Sequence, residues 1–513
     1  MSTESSIGTV SPDNGTQADR SEVNERLTEN DVQEDLRRQP QLMMKTLLIA
    51  ENLRDNYFRN TARFIRHLRR RRAIDATNKG MRDSSILQAY SVKDASWGDF
   101  KDELVSFIDR GIGQTQLSQV PLLLRVGSYE VHVGNRNMTE RENFGYYPVI
   151  FGDFEGGSKE RRDFPDIVRI TAELLSGLSV LNRNQSLRVL LFHGPLVYLM
   201  DAYAGHTPFT EADIDLFLKH YSDDKEQADQ LKEDFLKEAR LDIYPAMAEG
   251  RSDEWADRRF FEPLSWIAFL YRKLIAVALN REPRPIIAGV VERGRSREFC
   301  EEVLLKRVFR SLSERGNQNY FNDLFSLSDL TSPKNLMDRL GYTDNLLLGL
   351  LLDTGEYSEH WKMNKSSGLG AGAIRLPGES GSSTVDFSCL REDNQFGFPT
   401  VKGTYIRVSE NTEPIRIEIF SELGENQVRE AARRVYLYSR LLPNYGFPVG
   451  LDIADKFAHV PSWMTRAGDK MILHTLGMSL QKGAISDADM RRVLVQAIYM
   501  TPRDWFLRPT VEG

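Results

Sequence analysis

Cysteine is scarce: Cys300 and Cys389 are the two among 513 residues. So few, so far apart, exclude a disulfide framework and any CxxC-type zinc spacing, and suggest free thiols in a reducing compartment. Long apolar runs are missing as well; none approaches the roughly 18 to 20 residues a membrane span needs. The opening MSTESSIGTVSPDNGTQ lacks the basic-then-apolar order of a signal peptide, so a soluble, cytoplasmic protein without membrane contact is expected. Excess positive charge is also absent. A net charge of -7 excludes wholesale coating of nucleic acid, so any DNA contact has to come from a local basic patch on an acidic body. The Gly- and Ser-rich stretch MNKSSGLGAGAIRLPGESGSS, 363 to 383, has no GxxxxGK[ST] spacing and is expected to be a flexible loop rather than a phosphate cradle.

What is present is an ordinary globular composition, 41% apolar and 27% charged, in a chain too long for one ordinary domain. Residues 1–38 carry almost no large apolar side chains and are expected to be a disordered tail. An N-terminal helical region follows over 39–120. Its main helix runs from Leu42 to about Arg72, with Leu42, Leu47, Leu48, Leu53, Phe58, Phe64, Ile65 and Leu68 at spacings near three and four. It ends in RHLRRRRA, 66 to 73, whose five arginines complement the helix dipole or meet phosphates or an acidic partner. Short helices and loops are expected from 79 to 120.

A core is expected over 121–475, and a helical extension over 476–513. Within the core, PLLLRVGSYEVHVG, 121 to 134, suggests a strand, a Gly-Ser turn and a second strand. A strand is expected near Tyr147, a helix from Pro165 to Leu181, and a strand over LRVLLFH that ends at His193. A charged insertion at about 208–260 has helical periodicity and is expected to face solvent. FFEPLSWIAFLYRKLIAVALN, 260 to 280, is an amphipathic helix that feeds the buried strand PIIAGVV. TYIRVSE and PIRIEIF, 404 to 420, alternate as a hairpin, and helices follow at 429–442 and after Pro448. This order suits an α/β fold: a ribonuclease-H-like mixed sheet flanked by helices, with a helical insertion and an N-terminal helix.

Taken in order, several stretches resemble the NurA family of DNA end-processing nucleases. They are LLLRVGSYEV at 122–131, AELLSGLSV around Glu173, LLFHGPLV at 190–197 and IIAGVVERGRSR at 286–297. LLLDTGEYSEHW at 350–361, IRIEIF at 415–420 and YGFPVGLDIADKFAHV at 445–460 complete the series. The resemblance implies a ribonuclease-H-like homodimer that works with a hexameric HerA-type ATPase and cleaves DNA ends with Mn²⁺ or Mg²⁺. It places the family's first aspartate on Val126, its helix glutamate on Glu173, and its second aspartate on His193. Its tyrosine falls on Phe447 and its final histidine on Asp455.

The candidate catalytic set is therefore Glu173, His193 and Asp455, with Glu173 as the metal ligand if there is one. Tyr445, His459, Glu130 and Asp153 are candidates to compensate for the replaced ligands. Arg293, Arg295 and Arg297 have forked donors suited to phosphate oxygens, and Arg125, Lys402 and Arg407 are expected to line the same cleft. Arg416 and Glu418 share a strand face and are expected to pair.

Three functions follow. The leading one is a catalytically inactive NurA-like subunit that binds DNA or assembles with a HerA-type ATPase in end processing, repair or anti-invader defence. The second is an active, divergent Mn²⁺-dependent nuclease that uses Glu173, His193, Asp455 and an unassigned carboxylate. The third is a purely structural assembly protein.

Overall fold

The computed structural model of the chain describes residues 38–77, 85–114, 122–134, 142–151, 158–205, 209–218, 221, 224–247, 260–374, 383–483, 486–493 and 495–496. The expected tail lies outside them, except for Arg38. The chain begins with α1 (Pro40–Asn52), a wider turn at Leu53–Phe58, and α2 (Arg59–Thr77). Strands β1 (Ala89–Ser91), β2 (Leu104–Gln114), β3 (Leu122–His132) and β4 (Glu142–Phe151) follow, then α3 (Ser158–Arg183) and β5 (Leu187–His193). Next come β6 (Phe209–Thr210), α4 (Glu211–Leu218), α5 (Lys225–Glu238), β7 (Phe260–Phe261), α6 (Pro263–Leu279) and β8 (Ile286–Val291).

Short helices occupy much of 300–349. They lead to β9 (Glu356–Ser358), β10 (Trp361–Met363), β11 (Ala371–Ile374), β12 (Ser383–Asp386), β13 (Val401–Arg407) and β14 (Ile415–Phe420). The described helices after the sheet include α7 (Asn426–Tyr438), α8 (Val449–Ala458) and α9 (Ser462–Gln481). No helix among the described residues is long and apolar enough to cross a membrane.

Ten strands form one mixed sheet in the order β1-β9-β13-β14-β8-β5-β2-β3-β4, with β10 paired to β13. β2, β5 and β8 are parallel to one another, and the outer pairs are antiparallel. Alternate residues feed two cores. Ile108, Leu190 and Phe192 pack with α3 and α6 on one face. Val105, Phe107, Val189 and Leu191 pack with α7 and α8 on the other. Burial on both faces explains why β5 and β8 are nearly unbroken apolar runs. The architecture is the α/β class expected, a mixed sheet between helical layers.

Several local expectations need correction. Residues 79–120 do not consist of helices and loops alone, because 104–114 form β2 at the centre of the sheet. Gly127-Ser128 is not a turn. β3 runs straight through it, with Gly127 paired to Asp109 and Ser128 to Ile108. The insertion is not solvent-facing throughout. Ile214, Phe217, Leu231, Phe235, Ile243 and Tyr244 are buried in the α3–α6 core, because its charged residues occupy only the outer helix faces.

The first helix divides in two. Phe64, Ile65 and Leu68 enter the core, whereas Leu42, Leu47, Leu48, Leu53 and Phe58 are exposed. Two of its arginines, Arg69 and Arg72, hold the helix to the body. Arg69 donates to the Leu350 carbonyl at 2.7 Å, Arg72 bonds to Leu351 and Glu356, and Arg71 lies 3.4 Å from Asp75.

Helix α8 lies unusually close to the sheet. A Cβ on Gly111 would stand 2.2 Å from the Ala458 carbonyl, and one on Gly127 would stand 2.5 Å from that of Ala454. Both obstacles are backbone, so neither can rotate away. Gly127→Val is expected to lower stability by about 1–3 kcal/mol, or more if α8 is displaced. A thermal melt followed by circular dichroism checks this, and an unchanged midpoint would contradict the close docking.

Candidate metal centre

Because β2, β5 and β8 are parallel, their carboxyl ends open along one margin of the sheet. A crevice outside such ends is where open α/β sheets place ligands. His193 is the last residue of β5, and Glu292 follows directly on β8. Asp109 sits on β2, one residue past the Ile108↔Phe192 pair, and so lies level with His193. By alternation, Asp109 shares the face of Val105 and Phe107, and His193 that of Val189 and Leu191. This is the face covered by α8, which brings Asp455.

Asp109, His193 and Asp455 each offer a ligand atom, and these atoms lie within 4.8 Å of one another. Asp109 is buried, His193 half-buried and Asp455 exposed, so the group opens outward. The Asp109 carboxylate meets His193 Nδ1 at 2.9 Å. That contact holds the ring against the carboxylate, and a cation shared by the two groups would take the place of this hydrogen bond. The His193 ring also stands 5.2 Å from the buried ring of Phe447.

The backbone after His193 is held at three points. The Gly194 N–H donates to the Val290 carbonyl at 2.8 Å, with φ +105° at Gly194, a conformation suited to glycine. The Leu196 N–H donates to Glu418 Oε2 at 3.0 Å, and the Tyr271 hydroxyl donates to the Leu196 carbonyl at 2.8 Å. Glu418 is fully buried. Burial alone would raise its pKa, but Lys365 at 3.0 Å and Arg416 at 2.9 Å outweigh it and hold the carboxyl below its ordinary range. The expected pairing of Arg416 with Glu418 is thus present, and it anchors the turn behind His193.

Electrostatics around the cluster point toward a cation. Asp455 is raised by partial burial and then by the hydrogen bond and charge of Asp109, with His193 opposing. Burial pulls His193 down, but the Asp109 hydrogen bond and charge, with Asp455 and Glu292 behind them, outweigh it and raise it above 6.5. The Tyr445 hydroxyl is pushed up to about 12 by burial and by Asp452, so it remains a donor at neutral pH. Two converging carboxylates and one imidazole are a donor set suited to Mn²⁺, and to Mg²⁺ less well because of the nitrogen.

Of the sequence candidates, the structure brings His193 and Asp455 together but leaves Glu173 apart. Glu173 is on α3, on the opposite face of the sheet. It is buried, with Oε2 in contact with Arg110 Nη1. Burial raises its carboxyl well above the ordinary range, and Asp109 adds to this; burial lowers Arg110 to about 9. Val126, on which the resemblance places the family's first aspartate, is buried core on β3, and its register partner is Arg110. A carboxylate beside His193 is offered by Asp109 on the adjacent strand, which the sequence reading missed. Its signal was the alternation Val105, Phe107, Asp109 in LVSFIDRG, an apolar strand ending in aspartate near a glycine.

The compensating candidates fare differently. Glu130 bonds to Arg183 at 2.6 Å and Asn184 at 2.8 Å, away from the cluster, and Asp153 lies outside the described residues. Tyr445 is at the rim, and His459 follows α8 in an exposed position.

The basic candidates do not share one cleft. Arg293 and Arg295 are exposed on the turn after β8, with Arg293 3.6 Å from Glu292, whereas Arg297 pairs with Asp338. Arg407 donates to the carbonyls of Leu352, Glu410 and Ser409, so its donors are engaged in holding its own loop. Lys402 is 3.4 Å from Glu425. It pairs with Ile419 and through it stands level with Ala288, three residues back from the open end of β8. Arg125 lies on β3 opposite Gly111, and its side chain is outside the described residues.

Residues 141–460 match the model of the NurA domain. No curated protein matches the chain. Among solved structures, a crystal structure of NurA is 12% identical, with 85% of this chain and 98% of that one covered and a TM-score of 0.36. A structure of NurA with manganese is 9% identical, covering 73% and 90%, with a TM-score of 0.35. Endonuclease V from Ciona intestinalis, in complex with an inosine-containing DNA, is 9% identical, covering 75% and 95%, with a TM-score of 0.23. These overlaps are loose, and the assignment rests on the domain match.

A raised His193 pKa means that, in the metal-free chain, its contribution to stability is fully present below pH 6.5 and is lost as pH rises through the raised value. His193→Gln should therefore lower the melting temperature more on the acid side than on the alkaline side, with chelator present. An equal loss across that range would mean that the Asp109–His193 interaction does not govern the titration.

Proposed function

Because the chain belongs to the NurA domain family, we propose that it is a divalent-metal-dependent nuclease acting on DNA ends, with Asp109, His193 and Asp455 as its metal-holding side chains. The observation that carries this is the convergence of those three side chains at the carboxyl ends of parallel strands. The inactive function expected from the sequence rested on the loss of two strand carboxylates, at Val126 and His193; Asp109, on the next strand, offers one carboxylate in their place.

When bound, a divalent ion supplies Lewis-acid stabilisation of charge on phosphate oxygens and a bound water acidified enough to attack. The protein's own side chains do the rest. In the metal-free chain Asp109 holds the His193 ring through Nδ1 at 2.9 Å and so keeps both groups turned toward the position a shared cation would take. The Gly194–Leu196 clamp keeps that ring against the sheet. The Tyr445 hydroxyl, protonated at neutral pH, is a hydrogen-bond donor at the rim for a phosphate oxygen. Arg293 and Arg295 on the turn after β8 offer guanidinium groups to the DNA backbone. A homodimer and a HerA-type ATPase partner belong to the same proposal, and family membership supports them.

A second reading, a DNA-binding subunit without catalysis, is favoured by one observation: Glu173 is engaged by Arg110 instead of facing the cluster. A cleavage assay on linear duplex and single-stranded DNA with Mn²⁺, with and without the ATPase, separates the two. The nuclease predicts cleavage that Asp109→Asn or Asp455→Asn reduces by more than the about 10–100-fold that loss of an outer partner costs. Absence of cleavage under every metal and partner condition would leave the non-catalytic subunit.

A further inference from the structure

Strand direction places a second concave feature on the margin that carries the metal cluster. β13 and β8 each run antiparallel to β14 and so parallel to one another, and the chain leaves β13 at the margin where β8 and β5 end. There the turns at 408–411 and 439–446 flank an open cavity of about 480 Å³. His193, Val290, Ile417 and Thr404 are level across four strands. Val408, in the cavity wall, therefore stands three strand spacings from His193, about 14 Å sideways, and up to about 13 Å further out along β13. Tyr445, at the rim of the metal cluster, follows directly on Asn444 of the cavity wall.

The walls are preformed. The bonds from Arg407 to Leu352, Ser409 and Glu410 fix one of them. In the other, Asn444 holds φ +60°, and a Cβ on Gly446 would stand 2.4 Å from Thr412, which wedges the two turns together. Two hydroxyls at this cavity are idle. Ser439, 1% exposed, and Thr354 both line it, and Ser439 Oγ and Thr354 Oγ1 have no hydrogen-bond partner among the described residues. Buried hydroxyls are rarely left so unless a ligand or water meets them.

The chemistry of the lining selects its occupant. Asn411 and Asn444 add amide donors and acceptors, and Leu442 and Pro443 add apolar surface. Arg440 and Glu410 balance one another in charge, and Arg440 already donates to the Tyr436 hydroxyl at 2.8 Å. A neutral lining of hydroxyls and amides suits neither a free phosphate nor a metal ion. It suits a flat, uncharged heterocycle with donors and acceptors along its edge, which is how proteins read an unstacked base.

We propose that this cavity is a subsite for one unstacked base of the DNA strand whose backbone crosses the metal cluster. The inference rests on the nuclease reading above and names where the strand runs. From the cluster the strand passes Tyr445 and the turn carrying Arg293 and Arg295. The base that enters the cavity is roughly four to six stacked steps of 3.4 Å from the scissile phosphate, and fewer when the strand is stretched. Ser439, Thr354 and Asn444 meet the edge of that base and do not touch the reacting phosphate.

The test is an abasic scan. A fluorescent single-stranded oligonucleotide of about ten nucleotides, with one abasic position moved along it, is titrated with the full chain in chelator, and binding is read by anisotropy without cleavage. Loss of the base is expected to weaken binding about tenfold at one position, about three to six nucleotides from the bound end, and little elsewhere. Thr354→Val with Ser439→Ala, and separately Asn444→Gly, should weaken the intact strand by a similar factor and leave the strand abasic at that position unchanged. Glycine keeps the left-handed backbone, and removing unpartnered hydroxyls does not cost the fold, so a thermal melt should show both variants folded. An equal effect at every abasic position, no binding of any strand, or variants that bind the intact strand like wild type would overturn the subsite. Cleavage with Mn²⁺ beside a flat scan removes the subsite and keeps the nuclease. A position-dependent scan without cleavage under any metal keeps the subsite and removes the nuclease.

Discussion

The candidate site depends on a repulsion that the fold enforces: helix α8 brings the Asp455 carboxylate beside that of Asp109 on β2. Two like charges about 4 Å apart near a protein surface repel by up to about 4 kcal/mol. What resists this is helix α8, through Leu451, Ala454 and Ala458, all fully buried. Burying Leu451 contributes about 1.5–3 kcal/mol and each alanine methyl about 0.8, a sum comparable to the repulsion, so the helix can hold its aspartate against the charge. Gly111, Gly127 and Gly450 let it approach, since a Cβ at Gly450 would lie 2.3 Å from the Phe107 ring. Packing energy is thereby converted into an electrostatic demand for a positive ion.

A second layer secures the histidine. His193 ends a strand buried on both faces, and its exit turn is pinned by Val290, Glu418 and Tyr271. A buried glutamate is costly unless its charge is matched. Lys365 and Arg416 supply that match, and the pair of cations explains why IRIEIF carries charge inside a strand with no exposed residue. Lys365 comes from the stretch whose composition suggested only a loose loop. Its backbone carbonyl also accepts from the Met200 N–H at 2.9 Å, tying the Gly-rich segment to the turn after β5.

Much of the scaffold was legible because its strands and helices keep clean periods. LRVLLFH, IIAGVV and the IRIEIF hairpin are apolar or alternating runs bounded by turn residues, and all form strands. The amphipathic α6 and α7 follow from their 3.6-residue stripes. β2 was not legible because Asp109-Arg110-Gly111-Ile112-Gly113 reads as a breaker cluster. The glycines that suggested a loop are there because α8 crosses the strand at that point. Gly113 likewise has Thr465 and Val460 within 2.6 Å of where a Cβ would stand. Local propensity was overridden by a tertiary contact distant in sequence.

The same contact gives two neighbouring strands similar triplets. Val126-Gly127-Ser128 and Asp109-Arg110-Gly111 lie on neighbouring antiparallel strands, cross-paired as Asp109↔Gly127 and Arg110↔Val126. Either triplet offers a strand with a glycine under α8, so a pattern sought along the sequence alone does not tell which strand brings a carboxylate to His193. Only the parallel pairing of β2 with β5 decides between them, because it sets Asp109 level with His193. Alternation then decides the rest. Shifting the aspartate by one position, onto residue 110, would turn its carboxylate toward Glu173 and leave His193 facing no strand partner. The chemistry at this margin therefore depends on strand register as much as on residue identity.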